Sequence, residues 1–353
     1  MKAARFHGQR DIRIDNVPVP ELRPGAVAID VAWCGICGTD LHEFLEGPIF
    51  ISSPGHEHPL SGEAYPVIMG HEYSGTITAL GEGVTDLEVG QNVIVEPYFV
   101  CNECDQCKAG LYHLCDKMGF IGLAGGSGGL AEKAVVDRRW VHPIGDIPLD
   151  EAALIEPLSV GHHAVMLADP KPGQVALVGG AGPIGLLTAA VLKAFDVTVI
   201  MSEVSNARKT KALESGVADF VVDPTEQDVA EFVRSKTNGK GADLAFECSS
   251  VNAVLDAIID SVKARATVVI VSIWSQRATF DIQRMVLKEI KMVGSIAYAN
   301  DHAKTIELVK AGKVDLKPFI TGKIGLDGLI TEGFDTLIHR NETAVKILVS
   351  PNL

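Results

Sequence analysis

Residues 175–195 have the sequence VALVGGAGPIGLLTAAVLKAF, an apolar run that leads into a glycine-rich turn and then into a longer apolar segment. The first run has the length and β-branched content of a buried strand, and the segment after the turn is long enough for a helix. A strand, a G-x-G-x-x-G turn and a helix in this order are typical of a dinucleotide-binding unit. This stretch therefore predicts an α/β fold.

The region that follows repeats this alternation. Further apolar runs begin at positions 197, 219, 243, 267 and 290, and stretches such as SNARKTKALESG and EQDVAEFVRSKTNG are typical of helices that end at glycine. Six nearly continuous apolar strands indicate a parallel sheet buried on both faces. We therefore expect a Rossmann-type, doubly wound parallel sheet over residues 158–297.

Residues 1–157 follow another pattern, with short alternating runs such as VAIDVAW and YSGTITAL between Gly and Pro turns. This pattern predicts mainly antiparallel β structure with few helices. After the sixth strand, NDHAKTIELVKAGKVD is typical of a helix, and ETAVKILVS predicts a helix running into a strand.

The composition favours a soluble protein that acts on small molecules. The formal net charge is −14, whereas binding to nucleic acid or to an anionic membrane requires clustered Lys and Arg. The N-terminus lacks the apolar segment of a secretion signal, so we expect a cytoplasmic protein. Its expected partners are a small-molecule substrate and further copies of itself, in a homodimer or homotetramer.

The glycine turn supplies the candidate cofactor-binding residues. Gly180 permits the tight turn, Gly182 lets the backbone approach a pyrophosphate, and Gly185 allows the helix to pack on the strand. Pro183 and Ile184 open the helix, whose N-terminus faces the phosphates. Glu203 lies eighteen residues beyond the last glycine. A carboxylate there accepts hydrogen bonds from the ribose hydroxyls and repels a 2′-phosphate, which favours NAD over NADP.

Three cations follow this glutamate closely. Arg208, a further candidate cofactor-binding residue, and Lys209 and Lys211 are close enough in sequence to neutralise a 2′-phosphate. The alternative interpretation, a solvated helix face, is the more common behaviour of such charge runs. The three cations therefore leave NADP open as an alternative.

Four cysteines, Cys101, Cys104, Cys107 and Cys115, lie within fifteen residues in a C-x2-C-x2-C-x7-C spacing. Four thiolates on one short loop suit a tetrahedral Zn²⁺ that is closed to substrate, so we expect a structural zinc lobe at about residues 96–118. An iron–sulfur cluster also takes four cysteines and is the competing interpretation.

The chain resembles the zinc-dependent medium-chain alcohol and polyol dehydrogenases over essentially its whole length. The resemblance rests on CGICGTDLH, PVIMGHEYSGTITALGEGVTDLEVGQNVIVEP, the four-cysteine loop, IEPLSVGHHA and VGGAGPIG, in that order. It implies a GroES-like catalytic domain formed by residues 1–157, to which residues 298–353 return after the dinucleotide-binding domain.

The resemblance also implies the catalytic residues. Cys37, His71 and Glu156 would be the protein ligands of a catalytic zinc, with Glu72 nearby as an outer or exchanging ligand. Many relatives have cysteine where this chain has Glu156, and a carboxylate is held less tightly than a thiolate.

By the same resemblance, the alcohol proton would leave through the Thr39 hydroxyl, then the nicotinamide ribose, and then His42. These residue types suit a relay, because a hydroxyl donates and accepts and an imidazole titrates near pH 7.

The segment GPIFISSPGHEHPLSGEAYP is similar to that of 2,3-butanediol dehydrogenases, which interconvert acetoin and 2,3-butanediol. Ile49, Phe50 and Ile51 in this segment, with Phe120 and Ile121, would suit a small diol or hydroxyketone. Sorbitol-like and threonine-like dehydrogenases are the alternatives within the family, and a non-catalytic NAD-binding protein is the alternative outside it.

Gly-His-Glu occurs twice in the chain, at residues 55–57 in this segment and at residues 70–72. His56 therefore competes with His71 as a metal ligand. His71 precedes an alternating strand that would hold a ligand rigidly, whereas His56 precedes the turn-rich sequence HPLSGEAYP. We therefore expect His71 to bind the metal and His56 to belong to a surface loop.

Overall fold

The computed structural model describes residues 1–341 and 343–353. The chain begins with β1 (Lys2–Gly8), β2 (Asp11–Asn16), β3 (Ala26–Gly35), α1 (Gly38–Glu46), β4 (Val67–Ile68), β5 (Glu72–Leu80), β6 (Asn92–Val95), β7 (Tyr98–Phe99), α2 (Asp105–Lys108), β8 (Gly119–Phe120), β9 (Lys133–Asp137), β10 (Val141–Pro143) and α3 (Leu149–Ala152). It continues with α4 (Ile155–Leu167), β11 (Val175–Gly179), α5 (Pro183–Ala194), β12 (Thr198–Ser202), α6 (Asn206–Glu214), β13 (Phe220–Val222), α7 (Val229–Lys236), β14 (Ala242–Glu247), α8 (Asn252–Ser261), β15 (Val262–Ile270), α9 (Ile282–Leu287), β16 (Lys291–Gly294) and α10 (His302–Lys310). It ends with β17 (Ile320–Gly325), α11 (Asp335–His339) and β18 (Lys346–Ser350). None of the helices in these residues is long and apolar enough to cross a membrane.

Internal packing divides the chain into two units. Met1–Glu156 and Ile320–Leu353 form the first unit, and Pro157–Phe319 forms the second. The sequence prediction assigned residues 298–319 to the catalytic domain, whereas here they pack within the second unit. The reason lies in α10, because Asp301 at its start accepts a hydrogen bond from His163 of α4 at 2.8 Å.

The second unit contains the predicted doubly wound sheet. Its six strands are parallel and lie in the order β13-β12-β11-β14-β15-β16. The strands are apolar on both faces because helices cover both sides, and Leu177, Ile200 and Val268 are among the fully buried residues of the core. The Rossmann-type fold predicted from the alternating pattern is therefore confirmed.

The first unit is mainly antiparallel, as predicted. Strand β3 is its centre and pairs antiparallel with β5, β9 and β18 in a seven-stranded sheet. A three-stranded sheet, β2-β1-β4, and the pair β7-β8 complete the unit.

One prediction for the C-terminal segment was wrong. Residues 343–345 of ETAVKILVS form a bend instead of a helix, although the predicted strand is present as β18. Glu342 lies outside the described residues. The helix of this region, α11, ends earlier, at His339.

A buried ion pair lies where β3, β5 and β18 meet. The pairing places Gly35 opposite both Glu72 and Leu348, which brings Lys346 to the same point. Both carboxylate oxygens of Glu72 accept hydrogen bonds from the Lys346 ammonium at 2.7 Å, and the ammonium also donates to the Ile36 carbonyl at 3.2 Å. A Cβ at Gly35 would lie 2.1 Å from a Glu72 oxygen, so only glycine leaves room for this carboxylate.

We predict that Lys346→Met destabilises the protein by about 3–5 kcal/mol, because it leaves the Glu72 carboxylate buried without its cation. The matched control is Lys323→Met on the neighbouring strand, which removes an ion pair with Asp150 at 2.5 Å whose lysine side chain is 43% exposed. An exposed pair contributes at most about 1 kcal/mol. Urea unfolding of both variants measures the difference, and equal losses would contradict the prediction.

Candidate metal centres and cofactor loop

Cys37 and His71 converge because each lies next to the end of a strand, and these two strands, β3 and β5, are paired. Cys37 lies two residues beyond β3 and caps α1, and His71 immediately precedes β5, whose first residue, Glu72, is paired with Gly35. The ligand atoms of Cys37, His71 and Glu72 all lie within 4.8 Å of one another. Three groups that can bind a metal therefore meet at one point in the first unit.

The electrostatics of this point suit a cation. Asp40, Glu72 and Glu156 are buried carboxylates, and the Lys346 ammonium pairs with Glu72. Burial raises the pKa of Asp40, whose Oδ1 lies 3.6 Å from Nδ1 of His71. Neither of these two atoms has a hydrogen-bond partner among the residues that the structure describes. Because uncompensated buried charge is costly, the residues fit a divalent metal ion.

His71 is affected by the same charges. Burial alone would lower the pKa of His71, but the charges of Asp40, Cys37 and Glu156 outweigh burial and raise the pKa well above its ordinary value. A bound cation would reverse this preference, since a ligating imidazole must be deprotonated.

Glu156 lies beside this group but outside it. It is 6% exposed, in the first turn of α4, and its charge acts on both His71 and Lys346. Among the described residues, the carboxylate grouped with Cys37 and His71 within 4.8 Å is that of Glu72, although Lys346 engages both of its oxygens.

Sequence reasoning missed Asp40 and Lys346. Asp40 accepts a hydrogen bond from the backbone N–H of Cys37 at 2.9 Å, and its position three residues after a helix cap was a signal that could have been noticed. Lys346 begins the otherwise apolar strand KILVS, where a buried lysine requires a partner.

The two predicted relay residues follow Cys37 on α1. The Thr39 hydroxyl lies 3.7 Å from the Cys37 sulfur, and His42 is exposed on the same helix. The Phe120 ring lies 6.3 Å from the His71 ring, between their centroids, and stacks on Tyr98. An apolar ring therefore lies beside the group of potential ligands.

The four cysteines also come together, with ligand atoms within 4.8 Å of one another. The sulfurs of Cys101 and Cys107 are 4.0 Å apart. Tetrahedral zinc with Zn–S bonds of about 2.3 Å requires sulfurs roughly 3.8 Å apart, so the arrangement fits that ion.

Backbone N–H groups prepare one of these sulfurs for a cation. Glu103 and Cys104 donate to the Cys101 sulfur at 3.5 and 3.3 Å, and these bonds lower the pKa of Cys101 to about 6. Burial, and hydrogen bonds that the Cys107 thiol makes with neighbouring sulfurs, raise the pKa of Cys107 to about 12. A bound cation would favour the thiolate form of these cysteines.

His56 is exposed in the surface segment and belongs to neither group of potential ligands among the described residues. The histidine that this segment buries is His58, whose Nδ1 accepts from the backbone N–H groups of Leu60 and Ser61 at 3.4 Å.

The glycine turn has the geometry that its spacing predicts. Gly180 has a φ of +97°, which favours glycine. A Cβ at Gly185 would lie 2.0 Å from the Gly180 carbonyl oxygen, whereas a Cβ at Gly182 would meet no atom of the described residues within 4 Å. Pro183 begins α5, and Gly182 caps it without a side-chain hydrogen bond. A helix that begins at a glycine cap in this way suits a phosphate group at its N-terminus.

Glu203 directly follows β12 and is buried against this turn. Its Oε2 accepts from the N–H of Ala181 at 2.8 Å, and its Oε1 accepts from Val204 and Ser205 at 2.9 Å. Arg208 is half-buried in the first turn of α6. The glycine turn, the glutamate and this arginine therefore belong to one edge of the sheet.

Two family models together match most of the chain. The model of the alcohol dehydrogenase GroES-like domain matches residues 23–146, and that of the zinc-binding dehydrogenases matches residues 183–311. The chain is 61% identical over 354 residues to the (R,R)-butanediol dehydrogenase of Neisseria gonorrhoeae, with all of both chains covered. The predicted family is therefore confirmed.

Solved structures share the fold. The 2R,3R-butanediol dehydrogenase of Bacillus subtilis superposes with a TM-score of 0.94 at 43% identity, over 99% of each chain. A zinc-binding dehydrogenase of Sinorhizobium meliloti bound to NADP superposes with a TM-score of 0.86 at 30% identity, again over 99% of each chain. Because a protein of this fold binds NADP, side chains must decide which cofactor is preferred.

We predict that two glycine substitutions have different effects. Gly185→Ala should destabilise the protein by about 1–3 kcal/mol, because the new methyl group meets backbone. Gly182→Ala should leave the melting temperature unchanged and weaken NADH binding about tenfold or more, because the methyl group fills the space that a pyrophosphate needs. Thermal unfolding and NADH fluorescence titration measure the two effects. Normal NADH binding by Gly182→Ala would contradict the role of this turn.

Proposed function

Since the chain belongs to the zinc-dependent medium-chain alcohol dehydrogenases, we propose that it interconverts 2,3-butanediol and acetoin with NAD(H). The observation that carries this proposal is 61% identity over the full length to an (R,R)-butanediol dehydrogenase. We assign the catalytic groups to residues 1–157 and the cofactor to residues 158–297. A cytoplasmic location and a dimeric or tetrameric assembly stay predictions.

We propose Cys37, His71 and Glu156 as the ligands of a catalytic zinc. His71 would use Nε2, because its Nδ1 faces Asp40 at 3.6 Å. Both Glu72 oxygens accept from Lys346 at 2.7 Å, which favours Glu72 as an outer residue and Glu156 as the third ligand. The four cysteines would hold a second, structural zinc.

The zinc would polarise the oxygen of the alcohol or ketone, and NAD(H) would carry the hydride. The protein's own contribution is orientation and proton transfer. Thr39, 3.7 Å from the Cys37 sulfur, would pass the alcohol proton on, and His42 would release it to solvent. Asp40 and Lys346 would hold His71 and Glu72 in place.

An apolar wall would select a small substrate. Phe120 contributes one side, beside His71. The buried Glu43 carboxylate holds the segment with Ile49 and Ile51 by accepting from their N–H groups at 2.9 and 3.2 Å. These apolar side chains suit the methyl groups of butanediol better than a chain of hydroxyls.

The metal ligands can be tested by measuring zinc. We expect wild type and His56→Ala to hold two zinc ions per chain, and His71→Ala and Glu156→Ala to hold one, since three protein ligands hold the catalytic ion. Mass spectrometry of the metals in purified protein gives the count. Loss of zinc in His56→Ala would contradict the assignment, and full zinc in Glu156→Ala would move the third ligand to Glu72.

The substrate can be tested with acetoin, sorbitol and threonine. We expect reduction of acetoin by NADH to form a carbinol centre of R configuration. We expect kcat/KM for butanediol to exceed that for sorbitol at least about tenfold, because the side chains of Phe120, Ile49 and Ile51 offer no hydrogen bonds to extra hydroxyls. Chiral chromatography resolves the product. Preference for sorbitol or threonine would assign another specificity, and NADH binding without turnover of any of these would indicate a non-catalytic protein.

A further inference from the structure

The cations after Glu203 differ in their surroundings. Lys209 on α6 pairs with Asp223, and the two side chains are only 16% and 9% exposed. Cations in such runs usually lie on a solvated helix face, but Lys209 does not. Lys209 is instead a largely buried cation that is paired with the Asp223 carboxylate.

Several hydrogen bonds fix the Asp223 carboxylate that pairs with this lysine. It directly follows β13, the strand beside β12, and the N–H of Glu203 donates to the carbonyl of Val222 at 3.1 Å. One Asp223 oxygen accepts from the N–H and the hydroxyl of Thr225, at 2.9 and 2.6 Å, and the other accepts from Lys209. These bonds fix the carboxylate, and its pKa is lowered to about 2, chiefly by Lys209.

The pair lies at the edge of the sheet where the adenosine ribose binds. Ligands of doubly wound sheets bind at the carboxyl ends of the strands, with the acidic residue after the second strand at the ribose. Glu203 follows β12 and Asp223 follows β13, so both carboxylates are at this edge. A cation near this position is what accommodates the 2′-phosphate of NADP.

We propose that Asp223 is a specificity-determining residue that keeps Lys209 from a 2′-phosphate and thereby disfavours NADP. The inference rests on the proposed NAD-dependent function and adds to it a second determinant beside Glu203. Glu203 repels the phosphate directly, and Asp223 acts by engaging a cation that would otherwise attract it.

The test is Asp223→Asn, with NADPH and NADH binding followed by fluorescence titration of the zinc-loaded protein. We expect NADPH affinity to rise about tenfold, the order of one charge-assisted hydrogen bond to phosphate, while NADH affinity changes less than about twofold. The matched control is Asp219→Asn, which releases Lys193 from a pair at 2.7 Å. Asp219 precedes β13, at the opposite edge, so NADPH affinity should not change.

The double variant Asp223→Asn, Lys209→Met separates release of the lysine from direct repulsion by Asp223. We expect the gain in NADPH affinity to disappear in the double variant, because the gain requires the freed ammonium. A gain that persists without Lys209, or no gain in Asp223→Asn, would overturn the proposal. Failure of wild type to bind either cofactor would instead overturn the proposed function, so the two failures are distinguishable.

Discussion

The buried ion pair between Lys346 and Glu72 is the constraint on which the first unit depends. Three strands distant in sequence, β3, β5 and β18, must meet in one register for these charges to pair. A slip of one residue would turn the side chains of a strand to its other face and leave a buried charge without its partner. The same register brings Cys37 and His71 together, so the fold and the candidate metal centre share one cause.

Local electrostatics explain why the two groups of potential metal ligands suit cations. Around His71 the buried acids are Asp40, Glu72 and Glu156, with Lys346 paired to one of them. Around the four cysteines, backbone N–H groups favour a thiolate at Cys101. A cation at the group around His71 would offset the buried negative charge, which would link metal binding to stability.

The second unit uses charge in the opposite way. At the carboxyl edge of its sheet, Glu203 is held against the glycine turn, and Asp223 engages Lys209. If the cofactor binds as proposed, both carboxylates lower the positive charge near its ribose, where a 2′-phosphate would require it. Under this proposal, local ion pairing adjusts cofactor preference without altering the glycine turn.

The sequence by itself determined the parallel sheet, the glycine turn and the four-cysteine group, because these depend on local periodicity and spacing. It also favoured His71 over His56 through the strand that follows His71. Only the tertiary structure decided the partners of Lys346 and Lys209, and it placed residues 298–319 in the second unit. The physical reason is that an ion pair depends on closeness in space, which local sequence patterns do not reveal. Lys346 and Glu72 are in contact although 274 positions separate them in the sequence.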